Sequence, residues 1–319
     1  MLTAATSTSS RILVVRLGAM GDIIHALPAV ASLKHSFPGS RLTWIVEPKW
    51  APLLEDNPFI DRIVLLRRDS LAGLLESWRA LRAERYDLAV DFQGLIKSAV
   101  VASAARPNRI FGFHRTQLRE RAAALFYSNQ TLSRAAHVVD RNLDLAVAAG
   151  ATTLLRTFPL PAGRPEGTLP PGHFVLASPL AGWRAKQWPI EHYQALAARL
   201  ERELGIPLIL DGPPGYRLDH CSGLPGLIHA TRCAAAVVGV DSGPLHLAAA
   251  LGKPGVAIYG PTDPARNGPY GGSLRVLRSP AAVTTYKRGA SIDESMRAVS
   301  PDHVFEALKG MLGERRSPV

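Results

Sequence analysis

Cysteine is scarce in this chain of 319 residues, with Cys221 and Cys233 its only two. Two thiols exclude a disulfide-built scaffold and suit a reducing compartment. No apolar run reaches about 18 residues, so no transmembrane helix is expected. Met1–Ser10 is polar and rich in Ser and Thr, without the basic start and apolar centre of a secretory signal. No Cys/His grouping has zinc spacing, and no Walker A sequence occurs. An Asp-x-Asp pair, the metal clamp of one class of sugar-nucleotide transferases, is also missing. No metal and no cofactor site is therefore expected. Acidic side chains are outnumbered 37 to 26, which leaves a formal charge of +11. A chain this basic is suited to anionic partners: nucleic acid, a membrane surface or phosphorylated substrates.

What is present is an ordinary globular composition, 47% hydrophobic and 20% charged, long enough for about two domains. Short apolar runs alternate with amphipathic stretches. Strands are expected at Arg11–Leu17, Leu42–Val46, Arg62–Leu66, Tyr86–Phe92 and Arg109–Phe113. Helices are expected at Leu71–Arg85, where Leu71, Leu74, Leu75, Trp78 and Leu81 share a face, and at Leu95–Ala105, Arg119–Tyr127 and Val138–Ala149. Gly150–Gly172 holds five prolines and reads as an interdomain linker. A second series follows: strands at Phe174–Ser178, Pro207–Asp211, Ala235–Val240 and Gly255–Tyr259, and helices at Glu191–Leu204, Pro244–Leu251 and Pro301–Leu312. The alternation predicts an α/β fold of two Rossmann-like halves, each with a covered parallel sheet, facing a cleft.

Five segments can carry chemistry. After the first strand, Gly18-Ala19-Met20-Gly21-Asp22 opens a helix at the sheet edge where open α/β folds bind ligands. Asp22 there serves either as a general base or only as a helix cap; His25 lies about one turn on. The dinucleotide fingerprint is not met, because Arg16 stands two residues before Gly18, although Glu47 ends the second strand. Val240-Asp241-Ser242-Gly243-Pro244-Leu245-His246 runs from strand to helix, with free N–H groups near Ser242, Gly243 and Leu245 that suit a diphosphate or simply an N-cap. Tyr259–Pro264, with Thr262, is also explained as a turn. The loop Gly182–Pro189 offers Arg184 and Lys186 to phosphates or to solvent. Arg106, Arg109, His114, Arg115, Arg119 and Arg121 are opposed only by Glu120 and suit an acidic substrate.

Together, RILVVRLGAMGDIIHALPAV, VDFQGLIKSA, LRERAAALFYSN, AKQWP and VVGVDSGPLHLAAALGKPGVAIYGPTDP resemble the heptosyltransferases of lipopolysaccharide inner-core assembly, in order and across nearly the whole chain. The second and third segments look more like heptosyltransferase I than II. The resemblance implies a GT-B fold, with an acceptor-binding domain at 1–160 and a donor-binding domain at 161–319 that ends in a helix. It implies inverting, metal-independent transfer of L-glycero-D-manno-heptose from ADP-heptose to Kdo-modified lipid A. By the same motifs Asp22 matches the base, and Lys186, Asp241, Ser242, Gly243, His246 and Thr262 fall on the donor side. Gly21, His25, Gln93, Arg115 and Arg119 are assigned to the acceptor side. The implied setting is cytoplasmic, with transient contact with the inner leaflet and no nucleic acid partner.

One segment departs from the resemblance. Between Asp211 and Val237 a longer stretch with a helix and a ribose-binding glutamate is expected. The chain has instead a short Gly/Pro-rich run without an acid between Pro213 and Leu218, and Asp219 is the substitute nearest at hand. This keeps open a related transferase using another sugar nucleotide. A nicotinamide-dependent oxidoreductase, from Gly18, Gly21 and Glu47, and a non-catalytic polyanion binder, from the charge, are the remaining alternatives.

Overall fold

The computed structural model describes residues 10–285 and 289–313. The polar N-terminal segment read from the sequence lies, but for Ser10, outside the described residues. The chain divides between Leu160 and Pro161 into two compact units.

In the first unit, β1 (Arg11–Val15), α1 (Met20–Ser36), β2 (Arg41–Val46), β3 (Arg62–Leu65), α2 (Leu71–Arg82), β4 (Leu88–Asp91), α3 (Ile96–Ala104), β5 (Arg109–Phe113), β6 (Asn129–Thr131) and α4 (Val138–Ala148) follow in order. The second unit contains β7 (Val175–Ser178), α5 (Ile190–Leu204), β8 (Leu208–Gly212), β9 (His220–Cys221), α6 (Leu224–Cys233), β10 (Ala236–Val240), α7 (Gly243–Ala250), β11 (Gly255–Tyr259), α8 (Pro264–Asn267), β12 (Leu274–Arg278), α9 (Glu294–Arg297) and α10 (Pro301–Gly313).

Each unit is one six-stranded sheet, ordered β3-β2-β1-β4-β5-β6 and β12-β11-β10-β7-β8-β9, with every pairing parallel. The two orders are equivalent. In both, the chain builds outward for three strands and then returns beside its first strand. The crevice where strand order reverses therefore lies at the carboxyl ends of β1 and β4 in one sheet, and of β7 and β10 in the other. The two-residue period of a strand supplies two buried faces. In the second unit, Val175, Ala177, Val238, Val240, Val256 and Ile258 pack with α5 and α10, while Leu176, Val237, Ala257 and Tyr259 pack with α6 and α7.

The outermost strands β6, β9 and β12 and the helix α6 escape the sequence reading, because they are short or carry polar and Gly/Pro-rich residues. Arg119–Tyr127 is not α-helical: Arg121–Phe126 forms 3₁₀ turns. Both ends of that segment are pinned, since Ile96 N–H donates to Glu120 Oε2 (2.8 Å) and Tyr127 O–H donates to Asp91 Oδ2 (2.7 Å). Gly150–Gly172 has no regular secondary structure but is fastened along its length. Ser32 Oγ accepts from Leu155 N–H (2.9 Å), Pro159 C=O accepts from Asn57 Nδ2 (3.0 Å), and Glu166 Oε2 accepts from Gly223 N–H (2.7 Å).

Helix α2 also differs from its reading. Gly73, Ser77 and Leu81 face inward, and Leu71, Leu74, Leu75 and Trp78 face out. Around Gly73 the inner face has no room for a side chain: a Cβ there would sit 2.9 Å from Asp69 Oδ1 and 3.0 Å from Arg67 Cβ. Ser77 Oγ donates to Gly73 C=O and accepts from Arg67 N–H, which ties the helix to the preceding loop.

Candidate active site

In the first unit, the candidate residues gather at the carboxyl ends of β1 and β4. Asp22 is the third residue of α1. Its Oδ2 accepts from Ala19 N–H (3.3 Å), satisfying a helix-start donor, and pairs with Arg16 Nη2 at 2.6 Å. Capping and a chemical role are therefore compatible in this carboxylate, because Oδ1 has no hydrogen-bond partner among the described residues. Arg16 is buried, donates from Nη1 to Phe92 C=O (2.5 Å), and so bridges the ends of β1 and β4. Sequence reasoning treated Arg16 only as a break in a fingerprint. The signal was there: a cation inside the apolar run RILVVRL must find partners if it is buried.

Gly21 is buried in the first turn of α1. The His25 ring is buried as well, edge-on to His137 with centroids 5.7 Å apart, and the His25 C=O accepts from Asn142 Nδ2. Gln93 spends its Oε1 on Leu17 N–H (2.8 Å). Gly94, with φ of +69°, lies so close to Leu118 that a Cβ would come within 2.5 Å of its Cδ2. That contact places the loop carrying Arg119 beside the loop carrying Gln93. Arg115 and Arg119 are exposed and have no carboxylate within 4 Å among the described residues.

The arginine-rich stretch does not stay together. Arg106 precedes β5 and Arg109 opens it, whereas Arg115, Arg119 and Arg121 follow it, so the two sets sit on opposite edges of the sheet, roughly 13 Å apart along the strand. Only the second set shares the edge that carries Asp22. Beneath that edge Asp91, fully buried, accepts from Gln93 N–H, Gly94 N–H, Ser98 Oγ–H and Tyr127 O–H. Burial pushes its carboxyl above the ordinary range against the pull of these donors. This knot, which holds the loop after β4, was not singled out from the sequence.

In the second unit, Lys186 follows β7 and Asp241 follows β10, so the switch point brings them together. Lys186 Nζ lies 2.9 Å from Asp241 Oδ2, and both side chains are largely buried. Lys186 sits in a short 3₁₀ turn, its ammonium 5.0 Å from the Trp183 ring centroid. Trp188, buried, donates from Nε1 to Val299 C=O and anchors that loop. His246 Nε2 approaches Asp241 Oδ1 at 3.5 Å. Burial alone would raise the Asp241 pKa, but the His246 hydrogen bond and the charges of Lys186 and His246 outweigh it and hold the carboxyl at about 2.

Ser242 is the N-cap of α7, yet its hydroxyl makes no cap bond; it is buried without a partner. The Thr262 hydroxyl, after β11, is also buried and unpartnered. Gly243 and Leu245, in the first turn of α7, contribute N–H groups outside the helical ladder, and Pro244 has none to contribute. Two orphaned hydroxyls, a helix N-terminus and a lysine make a donor-rich edge suited to a phosphate. Asp263, by contrast, is a simple cap: its Oδ1 accepts from Ala265 N–H. Asp219 Oδ2 is occupied by Leu210 N–H (2.9 Å), a bond that joins it to the backbone of β8. Among the described residues, no group of three His, Cys, Asp or Glu side chains is arranged to hold a metal ion, and no helix is long and apolar enough to cross a membrane.

The Rossmann oxidoreductase reading meets an obstacle in this geometry, because Glu47 is held by Arg68 and, at 3.7 Å, by Lys97. Two doubly wound units, each with a parallel six-stranded sheet, are the architecture of the GT-B type. The chain belongs to glycosyltransferase family 9 (heptosyltransferase), whose sequence profile matches residues 74–214 and 222–294. It is 29% identical to lipopolysaccharide heptosyltransferase 1 of Escherichia coli K12 over 308 aligned residues, covering 85% of this chain and 94% of the relative. It is 30% identical to lipopolysaccharide heptosyltransferase 1 of Pseudomonas aeruginosa, with 82% of each chain covered. The solved structure of E. coli heptosyltransferase WaaC with ADP superposes with a TM-score of 0.77 at 25% identity, covering 94% of this chain and 99% of that one. The protein is thus an enzyme, and the oxidoreductase and non-catalytic readings fall away.

Proposed function

We propose that this enzyme moves L-glycero-D-manno-heptose from ADP-heptose onto the Kdo-modified lipid A core, with inversion, without a metal ion, as a heptosyltransferase of type I. The observation that carries the reading is the Lys186–Asp241 pair beside the unpartnered Ser242 and Thr262 hydroxyls at the start of α7. Lys186 keeps two further N–H donors for a diphosphate, and these offset the charge that grows on the departing ADP. Asp241 and His246 face the sugar, and Gly243 lets the backbone meet the phosphates. Asp22 takes the proton of the attacking hydroxyl, while Gln93, Arg115 and Arg119 hold the acidic acceptor above the packed Gly21 and His25. The residues 1–160 form the acceptor domain and 161–319 the donor domain. The segments DFQGLIKSA and LRERAAALFYSN support type I over type II. A lipid acceptor and a charge of +11 support a cytoplasmic enzyme that visits the inner leaflet.

The test is ADP release from ADP-heptose, with Kdo-modified lipid A or with the heptose-extended core as acceptor, in buffer with and without a chelator. Chelator-resistant release that requires the Kdo acceptor is expected. Preference for the extended core would move the enzyme to type II. A second reading, transfer from another sugar nucleotide, draws on Asp219, whose carboxylate is engaged with Leu210 and leaves the ribose without an acid there. Tighter binding of UDP or GDP than of ADP would favour it.

A further inference from the structure

We infer that the outward face of α2, with the arginine-lined cavity at its C-terminal end, is a docking surface for an anionic phospholipid bilayer. The helix is inverted relative to an ordinary amphipathic one. Leu71, Leu74, Leu75 and Trp78 fall at i, i+3, i+4 and i+7 on a single stripe, and they are 86, 42, 47 and 45% exposed. A stripe this apolar on a solvent face has an occupant, and the charge around it identifies one. Arg67 and Arg68 precede the helix, and Arg79 and Arg82 flank the stripe. Against these four arginines stand Asp69, just before the helix, and Glu76, within 3.9 Å of Arg67; Arg68 is paired with Glu47, so Arg79 and Arg82 are left without a carboxylate partner among the described residues. The Arg82 guanidinium lies 5.0 Å from the Trp78 ring centroid, the arrangement of an interfacial aromatic with a cation beside it.

Arg82 also lines a 280 Å³ cavity with Glu84, Arg85, Ala105 and Arg106. Glu84 is already paired with Arg41 (3.2 Å) and Arg62 (3.0 Å). Among the described residues no carboxylate lies within 4 Å of Arg82, Arg85 or Arg106. The cavity is therefore a cationic receptor of the size of a phosphate headgroup, contiguous through Arg82 with a leucine–tryptophan stripe of the kind that enters the acyl boundary. Arg106, separated by β5 from the arginines near Asp22, thereby acquires a role distinct from acceptor binding. A second copy of this chain would meet the same arginines, and like charges there disfavour it.

The surface rests on the proposed lipid acceptor, so the experiment separates the two ideas. The parent, Leu75→Glu/Trp78→Glu and Arg82→Glu/Arg85→Glu are sedimented with equimolar phosphatidylethanolamine–phosphatidylglycerol vesicles and with pure phosphatidylcholine vesicles. Transfer to an acyl-free, water-soluble Kdo acceptor is measured in parallel. The parent is expected to pellet with the anionic vesicles only, and each variant to lose about tenfold or more of that partitioning. Transfer to the soluble acceptor is expected to stay at the parent rate in all three, which also shows that the variants are folded. Parent-like pelleting by both variants, absence of pelleting by the parent, or a vesicle-free parent dimer that the variants break would overturn the inference. Failure of transfer in all three proteins, with vesicle binding lost only in the variants, would sink the acceptor assignment and leave the docking surface standing.

Discussion

The Lys186–Asp241 pair makes a prediction whose size follows from its surroundings. Asp241 titrates at about 2 in the folded protein against an ordinary value of 3.8. A difference of about 1.8 units corresponds to roughly 2.4 kcal/mol in favour of the folded, ionised form. The folded value lies below the unfolded one, so the unfolded chain binds more protons between them. The stabilisation is therefore complete above about pH 5 and is lost as pH falls through 3.8 toward 2. At pH 3, about 1 kcal/mol of it is gone. Asp241→Asn removes the titrating group. Equilibrium urea unfolding of parent and variant at pH 5 and pH 3, both below the ordinary histidine range, isolates the effect, because titrations remote from this site cancel in the difference. The parent's advantage should shrink by about 1 kcal/mol at pH 3. An advantage that is flat, or that grows toward acid, would refute the electrostatic account of this site. Lys186→Met should cost more at neutral pH, about 3 kcal/mol, since it leaves the buried carboxylate with His246 alone.

Other substitutions probe the same edges. Ser242→Ala and Thr262→Val remove hydroxyls that have no partner, so unfolding in the absence of nucleotide should be unchanged or slightly harder, while calorimetry should show ADP binding weakened about five- to tenfold. A parallel loss of stability would mean that the hydroxyls serve the fold. Asp22→Asn should lower kcat by roughly 10²–10⁴-fold with the melting temperature kept. Arg16→Met should lower kcat by about tenfold or more through misplacement of Asp22, with KM for the donor unchanged; a donor KM effect instead would place Arg16 elsewhere in the reaction. Tyr127→Phe should destabilise the protein by about 1–3 kcal/mol, because one Asp91 oxygen loses a buried donor, and hydrogen exchange in residues 93–98 should rise with it.

The central strands of both sheets were legible because each is a short apolar run bounded by turn residues. So were α1, α5 and α7, which begin at glycine- or proline-marked turns. Three peripheral strands, β6, β9 and β12, were not, because an edge strand is held by its backbone and needs no apolar run; β3, the remaining edge strand, was legible because it has one. Helix α2 was legible as a helix and misleading as to its face. Periodicity states which residues share a stripe; only the crowding at Gly73 decides that the small residues turn inward. Asp241, Ser242 and Gly243 were readable as a strand-to-helix motif, but their convergence with Lys186 depends on the order reversal between β7 and β10, which no local pattern contains. The arginine stretch failed for a related reason. Sequence proximity across a strand is spatial separation, and β5 carries its two halves to opposite edges.

The two switch points hold the same device in different states of exposure, and the difference supports the proposed division of roles. Each sheet edge has a carboxylate bound by a cation, Asp22 by Arg16 at 2.6 Å and Asp241 by Lys186 at 2.9 Å. The Asp241 side chain is only 9% exposed, and its two oxygens face Lys186 and His246. Held at about 2, it is a poor proton acceptor and serves as a fixed negative point that keeps Lys186 in place. The Asp22 side chain is 48% exposed. Arg16 and the helix start engage its Oδ2 alone, so Oδ1 is directed by the same contacts and still reachable by an approaching hydroxyl. A base must be both oriented and accessible, and of the two paired carboxylates Asp22 alone meets both conditions.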